Sequence, residues 1–333
     1  MGTIRRQFCS GMVYEICFRA KRGIPLPARP LMNQLIKSAL ARTQRDYKVI
    51  ICTFVWMGNH PHIIVVSRDI EELTKFYGEL KKRITESVKR LLGLRQLTLW
   101  EESGATVPVV LDINEAASRM VYIFTNPTAA KLVTSIDKYP GLSTWKAFNE
   151  LPADIKSEAT EQVPWIHMDT IPDLPNPQFS KNEENRALRI ILEDENNQER
   201  FPLIISPFAW LAAYGVTEPE EIQEYRSNII ERVREKEEEL AKERAKTGRG
   251  VMGHTRLLAE GISFDHVPTK KGRRIFVLSS TNEWRINFIL NFRAFCEECR
   301  DCYELMKLGH KNIEWPPGAF VPPAPILMNP IEL

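Results

Sequence analysis

Two histidines with one residue between them are the first candidates for chemistry in this chain. His60 and His62 lie in the segment MGNHPHIIV at 57–65, where a polar turn leads into an aliphatic run. On a strand, side chains at i and i+2 point to the same face, so both imidazoles can bind one metal ion. Two ligands do not make a metal site by themselves, and the alternative is a polar strand entrance with unrelated histidines. A site would need a third ligand and a reactive group.

The segment MVYIFTNP at 120–127 contains candidates for both. If residues 113–125 form a helix, Tyr122 and Asn126 lie one turn apart on the same helix face. Asn126 would then offer its carbonyl oxygen to the metal ion, and Tyr122 would present its hydroxyl beside it. The alternative is a core tyrosine followed by a helix stop, because the residue before a proline disfavours the helical conformation.

Hydrophobic periodicity predicts the elements that would position these residues. Strands are predicted at 12–19, 47–57, 62–66 and 107–111, and helices at 31–45, at 71–92 and from 113 onwards, the last with Asp112 as its N-cap. The order β-α-β-β-α-β, followed by a helix, predicts the α+β class with a ferredoxin-like antiparallel sheet covered by helices.

The composition is typical of a globular protein with an uneven charge distribution. The chain has 333 residues, of which 43% are hydrophobic and 26% charged, which favours two domains with sizeable cores. Residues 1–150 hold 22 Lys+Arg against 13 Asp+Glu, a net charge of +9, whereas residues 151–333 hold 23 against 30, a net charge of −7. A basic first half favours a polyanionic partner.

Cysteine usage and hydropathy limit the compartment. Six scattered cysteines do not resemble a secreted disulfide framework and predict a reducing cytoplasm. Cys296, Cys299 and Cys302 have metal-like spacing but no partner motif, so we interpret them as ordinary half-buried thiols. The longest mostly apolar run, at 201–214, is too short to span a bilayer, and we expect no membrane contact.

Together, the histidine pair and the tyrosine segment resemble the single-tyrosine HUH transposases, and most closely the large REP-associated tyrosine transposases. In that family a PNHVHLL-like segment carries the metal-binding histidines, and a YIxxNP-like segment opens with the nucleophilic tyrosine. The counterparts here are GNHPHII at 58–64 and YIFTNP at 122–127. Further similar segments are YEICFR at 14–19, LWE at 99–101, KYPGLSTW at 138–145 and the proline-rich WPPGAFVPP at 315–323.

The resemblance implies cleavage and rejoining of single-stranded DNA. Tyr122 would attack a backbone phosphate and form a 5′-phosphotyrosine intermediate, and a Mg²⁺ or Mn²⁺ ion held by His60, His62 and Asn126 would polarise that phosphate. Two alternatives stay open: a non-catalytic, domesticated nucleic-acid-binding protein, and a nickase of the replication-initiator or relaxase type. The expected location is the bacterial cytoplasm, on the nucleoid.

Single-stranded or hairpin DNA is the partner that the resemblance implies, and the basic first half suits it. The candidate DNA contacts are Arg19, Lys21, Arg22, Lys81, Lys82 and Arg83. Ordinary solvated surface charge is the alternative for each of them. A homodimer is compatible with the long charged helix predicted at 219–246, but the sequence does not decide the oligomeric state.

One residue departs from the family pattern. Pro61 stands between the histidines, where the family usually has a bulky apolar residue. Proline lacks an N–H for the strand ladder and is disfavoured in a central strand. The expected consequence is a shifted strand edge or a weakened metal site. Gly58, where the family often has proline, would also loosen the turn.

The chain divides into three predicted regions. Residues 1–150 form the HUH-type DNA transposase domain, 151–180 a proline-rich linker, and 181–333 a mixed, helix-rich accessory domain that ends in a proline-rich tail. Within the third region we predict a hairpin of strands at 187–192 and 201–206, the long charged helix at 219–246, and a helix at 282–308.

Overall fold

Seven strands form one sheet in the computed structural model, which describes residues 11–21, 25–67, 70–101, 104–264, 275–310, 312–317, 319 and 321–322. The strands are β1 (Val13–Cys17), β2 (Val49–Met57), β3 (His60–Ser67), β4 (Val109–Val110), β5 (Ala159–Pro164), β6 (Arg200–Ile205) and β7 (Val277–Leu278). Their order across the sheet is β5-β6-β2-β3-β1-β4-β7.

The helices of the described residues connect and cover these strands. They are α1 (Pro30–Asp46), α2 (Ile70–Leu91), α3 (Ile113–Ala129), α4 (Trp145–Glu150), α5 (Lys181–Glu193), α6 (Ala209–Ala212), α7 (Pro219–Thr247), α8 (His254–Ala259) and α9 (Asn282–Lys307). Among the described residues, no helix is both long and apolar enough to cross a membrane.

The predicted α+β class is confirmed, but the sheet is mixed, whereas an antiparallel sheet was predicted. The four strands of the first half are neighbours in the order β2-β3-β1-β4, and each neighbouring pair is antiparallel. The sheet becomes mixed because β6 joins β2 and β7 joins β4, both in parallel. Strands from the second half of the chain therefore extend the sheet at both ends.

Both faces of the sheet are buried because the central strands are apolar on both sides. Tyr14, Ile16 and Ile63 pack into the core beneath α1 and α2. On the other face, Val13 and Ile64 pack into the core beneath α3 and α7. The first half thus places α1 and α2 on one face and leaves α3 on the opposite face.

Asp112 fixes the start of helix α3. The Asp112 carboxylate accepts a hydrogen bond from the Glu115 N–H at 2.8 Å, as the predicted N-cap should. The same carboxylate accepts from Ser279 and Ser280, which ties the helix start to the end of β7. The helix continues through Pro127 to Ala129, so the Asn-Pro pair is not a helix stop.

The range 151–180, predicted as a linker, contains secondary structure. Residues 159–164 form β5, which pairs antiparallel with β6. Val163, Ile166 and Phe179 are buried in the core that includes α1 and α2. The division of the chain at residues 150 and 180 stays a prediction.

The predicted hairpin in the third region is half wrong. Strand β6 confirms the segment at 201–206, but residues 187–192 belong to helix α5, and the partner of β6 is β5. The capping box of Ser180 and Glu183 starts α5, and Ala187 and Ile191 form its buried stripe. The predicted helices at 219–246 and 282–308 are confirmed as α7 and α9.

A buried ion pair joins α1 to α5. Arg29 donates from Nε to a Glu184 oxygen at 3.0 Å, and the two side chains are 2% and 3% exposed. The other Glu184 oxygen accepts a hydrogen bond from the Leu31 N–H at 3.0 Å. This N–H lies in the first turn of α1, where backbone donors have no acceptor within the helix itself. Glu184 therefore serves as an N-cap supplied by a distant helix.

We predict that Arg29→Met destabilises the protein by about 3–5 kcal/mol, because it leaves the Glu184 carboxylate buried without its counter-charge. The measurement is the free energy of unfolding in urea, followed by circular dichroism. The matched control is Glu161→Gln, which breaks the exposed Lys37–Glu161 pair and should cost less than about 1 kcal/mol. Equal losses in the two variants would contradict the assignment.

Candidate active site

The two histidines lie on the sheet face that α3 covers. His60 is the first residue of β3, and His62 follows on the same face, 6% exposed, beside Val55 of β2 and Cys17 of β1. Their ring centroids are 4.9 Å apart, with the ring planes at 77°. The strand geometry expected from the i, i+2 spacing is therefore present.

Pro61 is accommodated at the edge of the β1–β3 pairing. That pairing ends at Cys17 and His62, so Pro61 lies one residue outside it. Trp56 on β2 is the residue paired with Pro61. Its backbone N–H donates to the C=O of Leu142, and its C=O accepts from the Tyr139 hydroxyl, so both groups point away from β3. In an antiparallel ladder this directs the proline nitrogen toward β1, where the ladder has ended. The β2–β3 register continues through Pro61 to His60.

Glu15 on β1 orients the imidazole of His62. The His62 Nδ1 lies 2.6 Å from the Glu15 Oε1, and both side chains are buried. Burial raises the pKa of Glu15, but hydrogen bonds from His62 and Arg119 outweigh it and lower the pKa to about 2. The carboxylate is therefore ionised and can only accept, so Nδ1 carries the hydrogen. The other ring nitrogen of His62, Nε2, is buried without a hydrogen-bond partner among the described residues.

Arg119 on α3 completes the surroundings of this carboxylate. It donates from Nε to Oε2 at 2.7 Å and from a terminal nitrogen to Oε1 at 2.8 Å, the two-bond geometry that arginine and carboxylate favour. Its guanidinium carbon also lies 4.1 Å from the ring centroid of Tyr122, within the range of a cation–π contact.

Tyr122 stands over His62 and reaches solvent. The two ring centroids are 5.3 Å apart in an edge-on arrangement, and Tyr122 is 43% exposed. It is thus not the core tyrosine of the alternative interpretation. Burial raises the pKa of Tyr122, and the nearby Arg119 opposes that rise only in part. The phenol is protonated at neutral pH and would have to lose its proton during any attack.

Asn126 lies one helical turn beyond Tyr122. Its Nδ2 is buried without a hydrogen-bond partner among the described residues. On α3, Arg119 contacts Glu15, and Tyr122, which comes later in the helix, contacts His62. The helix therefore runs along the sheet toward His60. Four helical residues and two strand residues both span about 6–7 Å. We therefore expect the Asn126 amide beside His60.

The donor set fits a divalent metal ion. The His60 Nδ1 lies 2.5 Å from the Asn59 side-chain oxygen, which leaves Nε2 for a ligand. Burial, His62 and Arg19 lower the pKa of His60 to about 3, so its imidazole is in the neutral form that binds metals. The described residues hold no group of three or more His, Cys, Asp or Glu side chains that could bind a metal ion. Asn126 is the predicted third ligand.

The predicted DNA contacts separate into two groups. Arg19 lies near the site, since its charge lowers the pKa values of His60 and Tyr122. Lys21 follows two residues later, and Arg22 lies outside the described residues.

The other three belong to α2, on the opposite face of the sheet. Lys81 lies 6.0 Å from the ring centroid of Phe18, and Lys82 lies 3.8 Å from Glu79. Arg83 is 14% exposed and pairs with Asp46 and Glu79. The structure does not bring these three residues together with Tyr122.

The sequence reasoning missed Glu15 and Arg119. A signal for Glu15 was present, because a carboxylate stands in the otherwise apolar strand VYEIC, where a buried charge needs a partner. That partner is 104 residues away in the chain, and no local pattern identifies it.

Comparisons with known proteins add little to this geometry. The chain is similar to a solved structure of the REP-associated tyrosine transposase bound to a REP hairpin, with 19% sequence identity and a TM-score of 0.38. The match covers 44% of this chain and 83% of that chain. No protein-family model and no curated protein match the chain. The roles of the residues therefore rest on the contacts described above.

Helix α7 packs along α3 and contacts the turn that follows it. Glu237, 7% exposed, accepts the Ile136 N–H at 2.6 Å and pairs with Arg234 at 2.9 Å. Arg232 donates to Ser118 on α3 at 2.9 Å. The apolar stripe of α7 packs into the same core as α3, so the charged helix supports the helix that carries Tyr122.

We predict that Glu237→Ala lowers the free energy of unfolding by about 1–3 kcal/mol, because it leaves the buried Ile136 N–H without an acceptor. Chemical denaturation would measure this loss. Glu238→Ala is the matched control, since that neighbouring side chain is 74% exposed, and its stability should stay close to that of the wild type. A loss of the same size in the control would refute the role of Glu237.

Proposed function

We propose that this protein cleaves and rejoins single-stranded DNA through Tyr122, as a metal-dependent transposase of the single-tyrosine HUH type. The observation that carries the proposal is the placement of an exposed tyrosine over a histidine whose Nε2 is buried and has no hydrogen-bond partner among the residues that the structure describes. The antiparallel order β2-β3-β1-β4, with α1 and α2 on one face, supports a ferredoxin-like catalytic domain.

The reaction begins with attack of the Tyr122 phenolic oxygen on a backbone phosphorus. A bond forms between that oxygen and phosphorus, and the bond from phosphorus to the 3′-oxygen breaks. The products are a 5′-phosphotyrosine and a free 3′-hydroxyl, with the phenolic proton passing to the solvent and a proton taken up by the leaving oxygen. Rejoining is the reverse attack by a 3′-hydroxyl, so no nucleotide cofactor is required.

The positive groups beside Tyr122 favour this step. Arg119 and Arg19 oppose the rise that burial causes in the pKa of Tyr122, which means that they stabilise the phenolate as the proton leaves. His60, His62 and Asn126 would hold Mg²⁺ or Mn²⁺, and such an ion supplies Lewis-acid polarisation of the phosphate. We further propose that the substrate is single-stranded DNA next to a hairpin.

We predict that Tyr122→Phe abolishes a covalent protein–DNA adduct while DNA affinity changes less than about threefold, because only the attacking oxygen is lost. The assay uses hairpins with single-stranded flanks, drawn from the genomic flanks of the gene, with Mn²⁺ and denaturing gels. Only DNA labelled at its 3′ end should migrate with the protein, because the protein joins the 5′ phosphate of the downstream fragment.

Tyr77→Phe is the matched control for the nucleophile, since Tyr77 lies on α2 and packs on the other face of the sheet. It should retain the adduct. Adduct formation by Tyr122→Phe would show that the nucleophile is misassigned. DNA binding without an adduct from any substrate would instead favour the non-catalytic binding protein.

A second prediction concerns the metal. His60→Ala and His62→Ala should each weaken Mn²⁺ binding at least about tenfold in isothermal titration calorimetry, because each removes a nitrogen ligand. His167→Ala is the control, since that ring stacks on Trp165 at 4.6 Å. The metal assignment fails if all three variants bind Mn²⁺ as the wild type does.

A further inference from the structure

Four side chains at the proposed site form a closed ring of contacts. Glu15 bonds to His62 and to Arg119, Arg119 lies over the Tyr122 ring, and that ring contacts His62 edge-on. The members come from β1, β3 and α3. One carboxylate thus touches both the proposed metal ligand and the arginine that contacts the proposed nucleophile.

The carboxylate has little freedom to do anything else. Glu15 is 3% exposed; its Oε1 accepts from His62 and Arg119, and its Oε2 accepts from Arg119. Glu15 and Cys17 point to the same face of β1, and the register pairs Cys17 with His62 and Glu15 with Ile64, so Glu15 reaches His62 as a diagonal neighbour. A buried carboxylate with three charge-assisted or polar donors is held in a single orientation.

We propose that Glu15 is a positioning residue that selects the Nδ1–H tautomer of His62 and, through Arg119, sets the place of Tyr122 over the same imidazole. The inference rests on the proposed function for the identity of the ligand and the nucleophile. Its first consequence is at His62, where the lone pair of Nε2 is directed toward the metal position. Its second is at Tyr122, because a guanidinium held in two hydrogen bonds presents a fixed flat face to the ring.

The wild-type protein offers a direct test of the first consequence. Long-range ¹H–¹⁵N spectra of the imidazoles distinguish the two neutral tautomers, and the chain has only six histidines to assign. In metal-free protein at neutral pH, His62 should be protonated at Nδ1, with His62→Ala used to assign its signals. A proton on Nε2 instead would overturn the inference.

Two variants separate the two consequences. Glu15→Gln should raise the dissociation constant for Mn²⁺ by about 10–100-fold, because the imidazole is no longer held as Nδ1–H by a charged acceptor. Saturating Mn²⁺ should restore part of the adduct formation of Glu15→Gln.

Arg119→Lys keeps a positive charge beside Glu15, and its dissociation constant for Mn²⁺ should stay within about threefold of the wild-type value. Its adduct formation at saturating Mn²⁺ should fall at least about tenfold, since the tyrosine is no longer aligned.

Glu115→Gln is the matched control, because Glu115 lies on α3 one turn before Arg119. It should change neither Mn²⁺ affinity nor adduct formation. A purely structural role for Glu15 predicts instead that Glu15→Gln lowers the melting temperature but leaves both quantities within about twofold of wild type once folded. That result would overturn the inference.

The outcomes also separate this inference from the proposed function. Mn²⁺ binding that depends on His62 and Glu15, without an adduct on any DNA, would reject the transposase and keep the positioning role. An adduct from wild type together with unchanged Glu15→Gln would keep the transposase and reject the positioning role.

Discussion

Burial of both faces of the central sheet is the constraint on which the rest of the structure depends. Strands β1 and β3 carry apolar side chains on both sides, so each side needs a cover. Helices α1 and α2 cover one face, and α3 with α7 covers the other. Covering the second face brings Tyr122 over His62, so the candidate site is a consequence of core formation.

Three buried glutamates help to decide which segments meet within this frame. Glu15 joins β1 to His62 and α3, Glu184 caps α1 from α5, and Glu237 joins α7 to the turn after α3. A buried charge without partners costs several kcal/mol, so each of these groups favours one arrangement of the chain over its competitors. Only Glu15 touches residues that could take part in chemistry; the other two hold the scaffold.

The acidic second half of the chain contributes strands to the same sheet as the basic first half. It supplies the outer strands β6 and β7, and it supplies α7, which packs along α3. Sequence composition suggested a separate accessory region, because charged, proline-rich segments are typical of linkers and solvated helices.

The basic residues predicted to contact DNA do not all lie on one surface of the protein. Arg19 lies near Tyr122, whereas Lys81, Lys82 and Arg83 lie across the sheet.

The sequence by itself determined the features that depend on near neighbours in the chain. Periodicity predicted the strands and helices of the first half and the long helices α7 and α9. The i, i+2 spacing placed His60 and His62 on one strand face, and the i, i+4 spacing placed Tyr122 and Asn126 on one helix face. Only the tertiary structure decided that residues 187–192 are helical, because an apolar run satisfies either periodicity until its buried face is known. It alone also brought Glu15 to Arg119, since that contact depends on the register of β1 with β3 and on the face that α3 covers. Register and docking are set by burial summed over the whole core, and no local pattern of residues encodes them.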